Sequence, residues 1–249
     1  ISKYRYISSL EYCDEDAVSW CDYLSAGGYV IRLFGDGVSS YSPYVPTALA
    51  TEANVRQYVH SLIDVARPGD LVMFIDSGHG SGDGKGHSWV CMLDEHGAPD
   101  GELDDTELAD DMCRFTGAGV RVVCFMDCCL SGGLIDNMEA RCGATGPGAN
   151  WFMSTTCSMS GFGFDDSRSK HGAWTSSFLV RGLQMHFKGQ NPSLGEAHDY
   201  ALSIYPYKKE AKNEPKWGGN RNLCIFLIEN KHDDRYSFTS LCYVDISVD

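Results

Sequence analysis

Two stretches decide the fold: Asp70–Gly82, DLVMFIDSGHGSG, and Gly119–Gly133, GVRVVCFMDCCLSGG. Each opens as a short apolar run rich in Val, Ile or Phe, which reads as a buried strand. Each then breaks into an acid followed by a glycine-rich turn. Val30–Phe34 is a third run of this kind. Runs this continuously apolar fit a parallel sheet covered on both faces.

Working outward, amphipathic helix-like segments lie between these strands: Asp14–Ala26, Asn54–Ala66 (ending before Pro68-Gly69) and Asp104–Phe115. The alternation predicts right-handed βαβ units, an α/β fold with helices on both faces of a mostly parallel sheet. Farther along, Trp151–Thr156 and Leu223–Ile228 read as strands, and Trp174–Gln184 and Ser193–Ser203 as helices. Residues 137–150, NMEARCGATGPGAN, are small, polar and Gly/Pro-bearing, and read as an exposed linker. The expected organisation is a region 1–136, the linker 137–150 and a region 151–249, forming one compact unit.

The chemistry-bearing residues fall just past the strands. In open α/β sheets ligands bind beyond the carboxyl ends of the strands. If the two strands are neighbours, His79 and Cys129 emerge side by side, 50 residues apart in sequence. A thiolate attacks a carbonyl only with a nearby base and backbone N–H groups to hold the oxyanion. His79 lies between Gly78 and Gly80, and Cys129 is followed by Ser131-Gly132-Gly133, so neither group is hindered by bulk.

Composition narrows the partners. The formal charge is −14, from 20 basic and 34 acidic residues. Phosphate binding needs a basic face, so nucleic acid is excluded as a partner. The charge suits either a cationic partner or simple solubility. No run of 18 apolar residues exists, so no membrane-spanning helix is expected. The 11 cysteines are odd in number and include no CxxC pair for zinc. Most read as buried thiols in a reducing, cytoplasmic setting. The chain starts at Ile1 rather than Met, which reads as an upstream part removed.

At the two turns the sequence resembles the metacaspases, in the caspase-type clan of cysteine peptidases. Ser77-Gly78-His79-Gly80 looks like their SGHG signature, and Asp127-Cys128-Cys129-Leu130-Ser131-Gly132 like their DSCHSG signature. The His–Cys separation is also that of caspases. Two positions depart: Cys128 stands where the family has Ser, and Leu130 where it usually has His. Cys128 is therefore a competing thiol. The resemblance implies a caspase-like three-layer sandwich, with His79 and Cys129 as the catalytic pair and the Gly80 turn and Cys129 N–H as oxyanion donors.

It also implies cleavage of protein or peptide substrates after Arg or Lys, by a chain that is generally monomeric. The C-x-x-D-A pattern at Cys13–Ala17 places a pocket acid at Asp16, with Asp127 as the second acid and Ser77 as a polar helper. Read from the residues alone, Asp16 is equally a helix-start acid, and Asp127 could instead orient His79. Asp76 either tunes His79 or is solvated.

Asp94–Asp111 holds nine acids among 18 residues without EF-hand spacing, and alone reads as a solvated loop and acidic helix start. The resemblance implies activating Ca²⁺ at Asp94, Asp104, Asp105 and Asp136, with Asp104 and Asp105 interchangeable by a one-residue slip. An Arg/Lys-directed enzyme would cut itself at Arg141, Arg168 or Lys170, all in polar loops.

One feature departs from the family order. Metacaspases begin with a central strand that nothing here supplies before Ile1, whereas the tail 239–247, TSLCYVDIS, is strand-like. The tail either fills the missing position or adds an edge strand to a trimmed chain. Two further functions fit the residues: a calcium-responsive scaffold that has lost activity, and a redox sensor using Cys124 or Cys128-Cys129.

Overall fold

The computed structural model describes residues 1–83, 85–96 and 101–225, and the backbone of 239–245. In chain order it forms α1 (Cys13–Ala26), β1 (Val30–Gly35), β2 (Ala48–Leu49), α2 (Glu52–Ile63), β3 (Leu71–Ser77), β4 (Gly80–Gly82), β5 (Ser88–Cys91) and β6 (Glu102–Asp104). Then follow α3 (Asp105–Gly117), β7 (Arg121–Asp127), α4 (Gly133–Cys142), β8 (Trp151–Thr155), β9 (Asp165–Asp166) and β10 (His171–Gly172). α5 (Ala173–Thr175) widens into a π-helical run, Ser176–His186; α6 (Leu194–Ile204), β11 (Lys216–Gly219) and β12 (Thr239–Asp245) complete the order.

The main sheet has the strand order β11-β8-β7-β3-β12-β1-β2. All its pairings are parallel except β11 with β8. Strand alternation sorts the core into two layers. Val72 and Phe74 of β3, with Val122, Cys124 and Met126 of β7, face one apolar cluster that includes Val55, Leu108, Met112 and Met138 from α2, α3 and α4. Leu71, Met73 and Ile75, with Val123 and Phe125, face the other, built on Trp20 and Leu24 of α1, Phe178 of the π-helical run and Ala197 of α6. This is the expected caspase-like three-layer sandwich. A small antiparallel sheet, β4-β5-β6, projects from the end of β3.

Helix starts follow local chemistry. Thr51 accepts the N–H of Asn54 and starts α2 two residues before the apolar pattern suggests. Asp104 accepts the N–H of Thr106 and caps α3. Ser193 and Glu196 form a capping box on α6.

Four sequence expectations change. The antiparallel edge strand is Lys216–Gly219. Its glycines hide it from a pattern reading, yet a side chain at Gly219 would collide with the backbone of Trp151. In the expected strand 223–228, Cys224 forms an isolated bridge to Ser193, and 226–228 lie outside the described residues. The stretch read as a linker begins as helix, because α4 runs to Cys142 and buries Met138. The cysteines are not all thiols: Cys113 of α3 and Cys142 of α4 form a disulfide.

The strand-like tail does not add an edge. Its β12 segment lies inside the sheet, parallel to β3 on one side and β1 on the other. That is the central position expected of the missing strand; residues 246–247 lie outside the described set.

The disulfide closes a loop with a sequence separation of 29. A cross-link of this span stabilises by about 3.6 kcal/mol, chiefly by restricting the unfolded chain. Cys113→Ser/Cys142→Ser is expected to lose about that much in urea unfolding, with dithiothreitol reproducing the loss in the parent chain and having no effect on the variant.

Candidate active site

Pairing of β3 with β7 runs without a slip from Leu71–Arg121 to Ser77–Asp127, a constant offset of 50 residues. His79 and Cys129 stand two residues beyond the last pair, so the same offset brings them out together. The N–H of Gly78 still bonds the carbonyl of Asp127, at 3.3 Å. Both residues line one cavity of about 210 Å³. Gly80 packs backbone to backbone on Cys129; a Cβ there would collide with the Cys129 carbonyl oxygen.

The imidazole of His79 is held from behind. Its Nε2 lies 2.8 Å from the carbonyl oxygen of Ser8, an acceptor only, so Nε2 carries the hydrogen. In the neutral ring this leaves the Nδ1 lone pair free to take a proton. The Tyr4 hydroxyl accepts the backbone N–H of His79 at 2.7 Å, and the two rings sit 4.9 Å apart. Among the described residues no hydrogen bond joins His79 to Cys129. Cys129 Sγ instead accepts the N–H of Gly163 at 3.3 Å. Burial pushes its thiol pKa up, so thiolate formation there needs a base.

The vicinal thiol differs. Cys128 is 1% exposed, and burial together with nearby Asp76 pushes its thiol well above the usual range. Asp76 is not solvated: it is 2% exposed, with its carboxyl pushed up to about 6 by burial.

Asp16, Ser77 and Asp127 come together beside the cavity. The carboxylate of Asp16 is fully buried and accepts from Ser77 Oγ (2.6 Å), Gly172 N (3.1 Å to each oxygen) and His171 Nδ1 (2.9 Å). Asp127 Oδ2 accepts both the N–H and the hydroxyl of Thr175 at 2.8 Å. Burial and the charge of Asp16 push the Asp127 carboxyl up to about 7. Asp127, Ser77 and Asp165 line the cavity, while Asp16 sits behind Ser77 and Gly172. Sequence reading missed Ser8, Asp165 and His171. Asp165 has only its place in a polar loop as a signal, and the other two declare themselves only through contacts made across the fold.

The acids of the proposed calcium set are spread out. Asp104 is spent on capping α3, and Asp105 is buried and accepts Ser88 N at 2.8 Å. Asp136 is exposed on α4. Asp94 keeps one buried oxygen without a hydrogen-bond partner. Among the described residues no three His, Cys, Asp or Glu side chains gather closely enough to hold a metal ion. Arg141 is exposed and paired with Asp110 at 3.0 Å; Arg168 and Lys170 are exposed on the turn between β9 and β10. No described helix is long and apolar enough to cross a membrane.

A histidine and a partly exposed cysteine at adjacent strand ends of a caspase-like sheet define the layout of a cysteine peptidase. The family model described as metacaspase, peptidase C14 domain, matches residues 3–138, more than half of the sequence, and the chain belongs to that family. It is 34% identical to Metacaspase-5 of Trypanosoma brucei brucei over 95 residues, covering 36% of this chain and 19% of that protein. It is 32% identical to Metacaspase-5 of Trypanosoma cruzi over 95 residues, covering 36% and 22%. The match thus spans about a fifth of the length of these relatives. The fold is similar to the crystal structure of protein GSU0716 from Geobacter sulfurreducens, with TM-score 0.57, 18% identity, and coverage of 93% of this chain and 90% of that one.

Two outcomes follow from this geometry. Gly80→Ala is expected to keep the circular dichroism of the parent while lowering any hydrolysis about 100-fold, because it displaces the Cys129 backbone. The raised carboxyl of Asp127 binds its proton more tightly folded than unfolded. Its contribution to stability is therefore full below about pH 4 and is lost as pH rises toward 7. Thermal unfolding of Asp127→Asn should show a smaller fall in midpoint between pH 4 and pH 7 than the parent chain.

Proposed function

We propose that this chain is a cysteine endopeptidase that cuts after Arg or Lys, with Cys129 as nucleophile and His79 as its base. The observation that carries the reading is the constant β3–β7 register, which delivers both groups to one acid-lined cavity. His79 Nδ1 takes the thiol proton as Cys129 Sγ attacks the scissile carbonyl. The same nitrogen then protonates the departing amine, leaving an acyl-enzyme that water hydrolyses. The N–H of Cys129 and the Gly80 turn are the proposed donors to the developing oxyanion. Cys128 is the weaker candidate because its buried thiol is further from ionising.

Basic-residue specificity is supported by the carboxylates. Asp127 and Asp165 face the cavity, and Asp16 adds charge from behind Ser77. An entering guanidinium or ammonium would draw the proton off Asp127 and pair with it in a site poor in water.

Calcium belongs to this reading as an activator outside the chemical step. Asp94, Asp104, Asp105 and Asp136 suit it as hard oxygen donors, but among the described residues they do not gather into one site. No step is routed through the ion. Exposed Arg141, Arg168 and Lys170 are the proposed self-cleavage sites.

The test is cleavage of fluorogenic peptides ending in Arg, Lys or Asp, with calcium or chelator. The expected outcome is turnover of Arg and Lys peptides only, lost about 1000-fold or more in Cys129→Ala and His79→Ala but retained in Cys128→Ala. Absence of Arg/Lys cleavage under every condition overturns the assignment; unchanged turnover in Cys129→Ala moves the nucleophile to Cys128.

A further inference from the structure

We infer that His171 sets the charge that the specificity pocket presents to a basic side chain, acting through Asp16 as a positioning residue. The inference rests on the Arg/Lys reading above and goes beyond it. Of the donors that saturate Asp16, a serine hydroxyl, a backbone N–H and an imidazole, only the imidazole changes charge. Its side chain is 14% exposed, so protons from solvent reach it, whereas Asp16 itself has no exposure.

The placement is tight. Gly172, next to His171, is wedged between the two acids: a Cβ there would collide with Asp127 Oδ2 and lie 2.8 Å from Asp16 Oδ2. β10 therefore clamps the acids beside one another and fixes His171 on their outer side. With neutral His171, Asp16 keeps its charge for the cavity. With protonated His171, Asp16 is neutralised from within, and an incoming cation meets an internal one.

The surrounding charged groups do not cancel this effect. α1 contributes Asp16 and the thiol of Cys13, whose pKa burial pushes up to about 12. β7 contributes Asp127. β9 contributes Asp165, in the cavity wall, and Asp166, the cross-strand neighbour of His171. The turn between the strands adds exposed Arg168 and Lys170. Burial and the charge of Asp16 push the Asp127 carboxyl up to about 7, in the range of an ordinary imidazole, so the test must separate the two.

Proton and substrate cation are then antagonists, and the antagonism is reciprocal. KM for an Arg peptide should rise about tenfold between pH 8 and pH 5.5. His171→Asn keeps a neutral donor near the Nδ1 position and should shrink that rise at least about threefold, the remainder belonging to Asp127. His171→Lys should reproduce the high acid KM at pH 8. A purely structural role would raise KM in both variants alike and leave its pH dependence unchanged.

Binding is read independently in Cys129→Ala by NMR, using N-acetyl-argininamide with its uncharged isostere N-acetyl-citrullinamide as control. At fixed acidic pH the arginine probe should move the His171 ring signals toward those of a neutral imidazole, and the citrulline probe should leave them in place. Arg/Lys turnover with an unmoved His171 and an unchanged acid rise in His171→Asn overturns this inference alone. Neither turnover nor arginine binding overturns it together with the reading it rests on. Arginine binding that shifts His171 without turnover upholds the inference and removes only the peptidase reading.

Discussion

The uninterrupted parallel pairing of β3 with β7 is the constraint on which the rest depends. Seven pairs hold one offset, from Leu71–Arg121 to Ser77–Asp127. A slip of one residue would turn every side chain of the strand that moved, Phe74 on β3 or Phe125 on β7 among them, into the wrong layer of the core. The same slip would separate His79 from Cys129. Packing and site geometry are therefore enforced by one interaction, and the apolar burial that stabilises the sheet also brings the His79 imidazole and the Cys129 thiol to neighbouring strand ends.

Past the last pair, the two chains separate and do different work. The β3 chain turns through Gly80 into the small sheet, where contact with Cys129 excludes any side chain. From that sheet, Ser88 reaches back: its N–H is held by Asp105 and its hydroxyl donates to the carbonyl of Leu130, at 2.9 Å. Leu130 has a φ of 57°, costly for a branched side chain and retained because its neighbours fix the turn. The acidic start of α3 thus leans on the residue next to Cys129 through a single serine.

The strand ends could be read directly, because apolar runs, acids and flanking glycines are local signals. The β12 segment was visible as a strand for the same reason. What escaped reading is whatever depends on residues distant in sequence. Ser8 matters only for the direction of its carbonyl. His171 carries no motif, and its meaning comes from Asp16, 155 residues away. Cys113 and Cys142 are unremarkable alone, and only the packing of α3 on α4 makes them partners. Asp76 admitted two readings, a tuner of His79 or a solvated acid, and only the fold, which buries it beside Gly78 and Tyr4, removes the second.

The interior position of β12 bears on the order in which the molecule is made. Leu241 pairs with Phe74, and the strand separates β3 from β1. Until that segment, far downstream of β3, emerges from the ribosome, β3 has β7 on one flank and lacks its β12 partner on the other. Such long-range closure is slow, and the open edge is a place for wrong pairing.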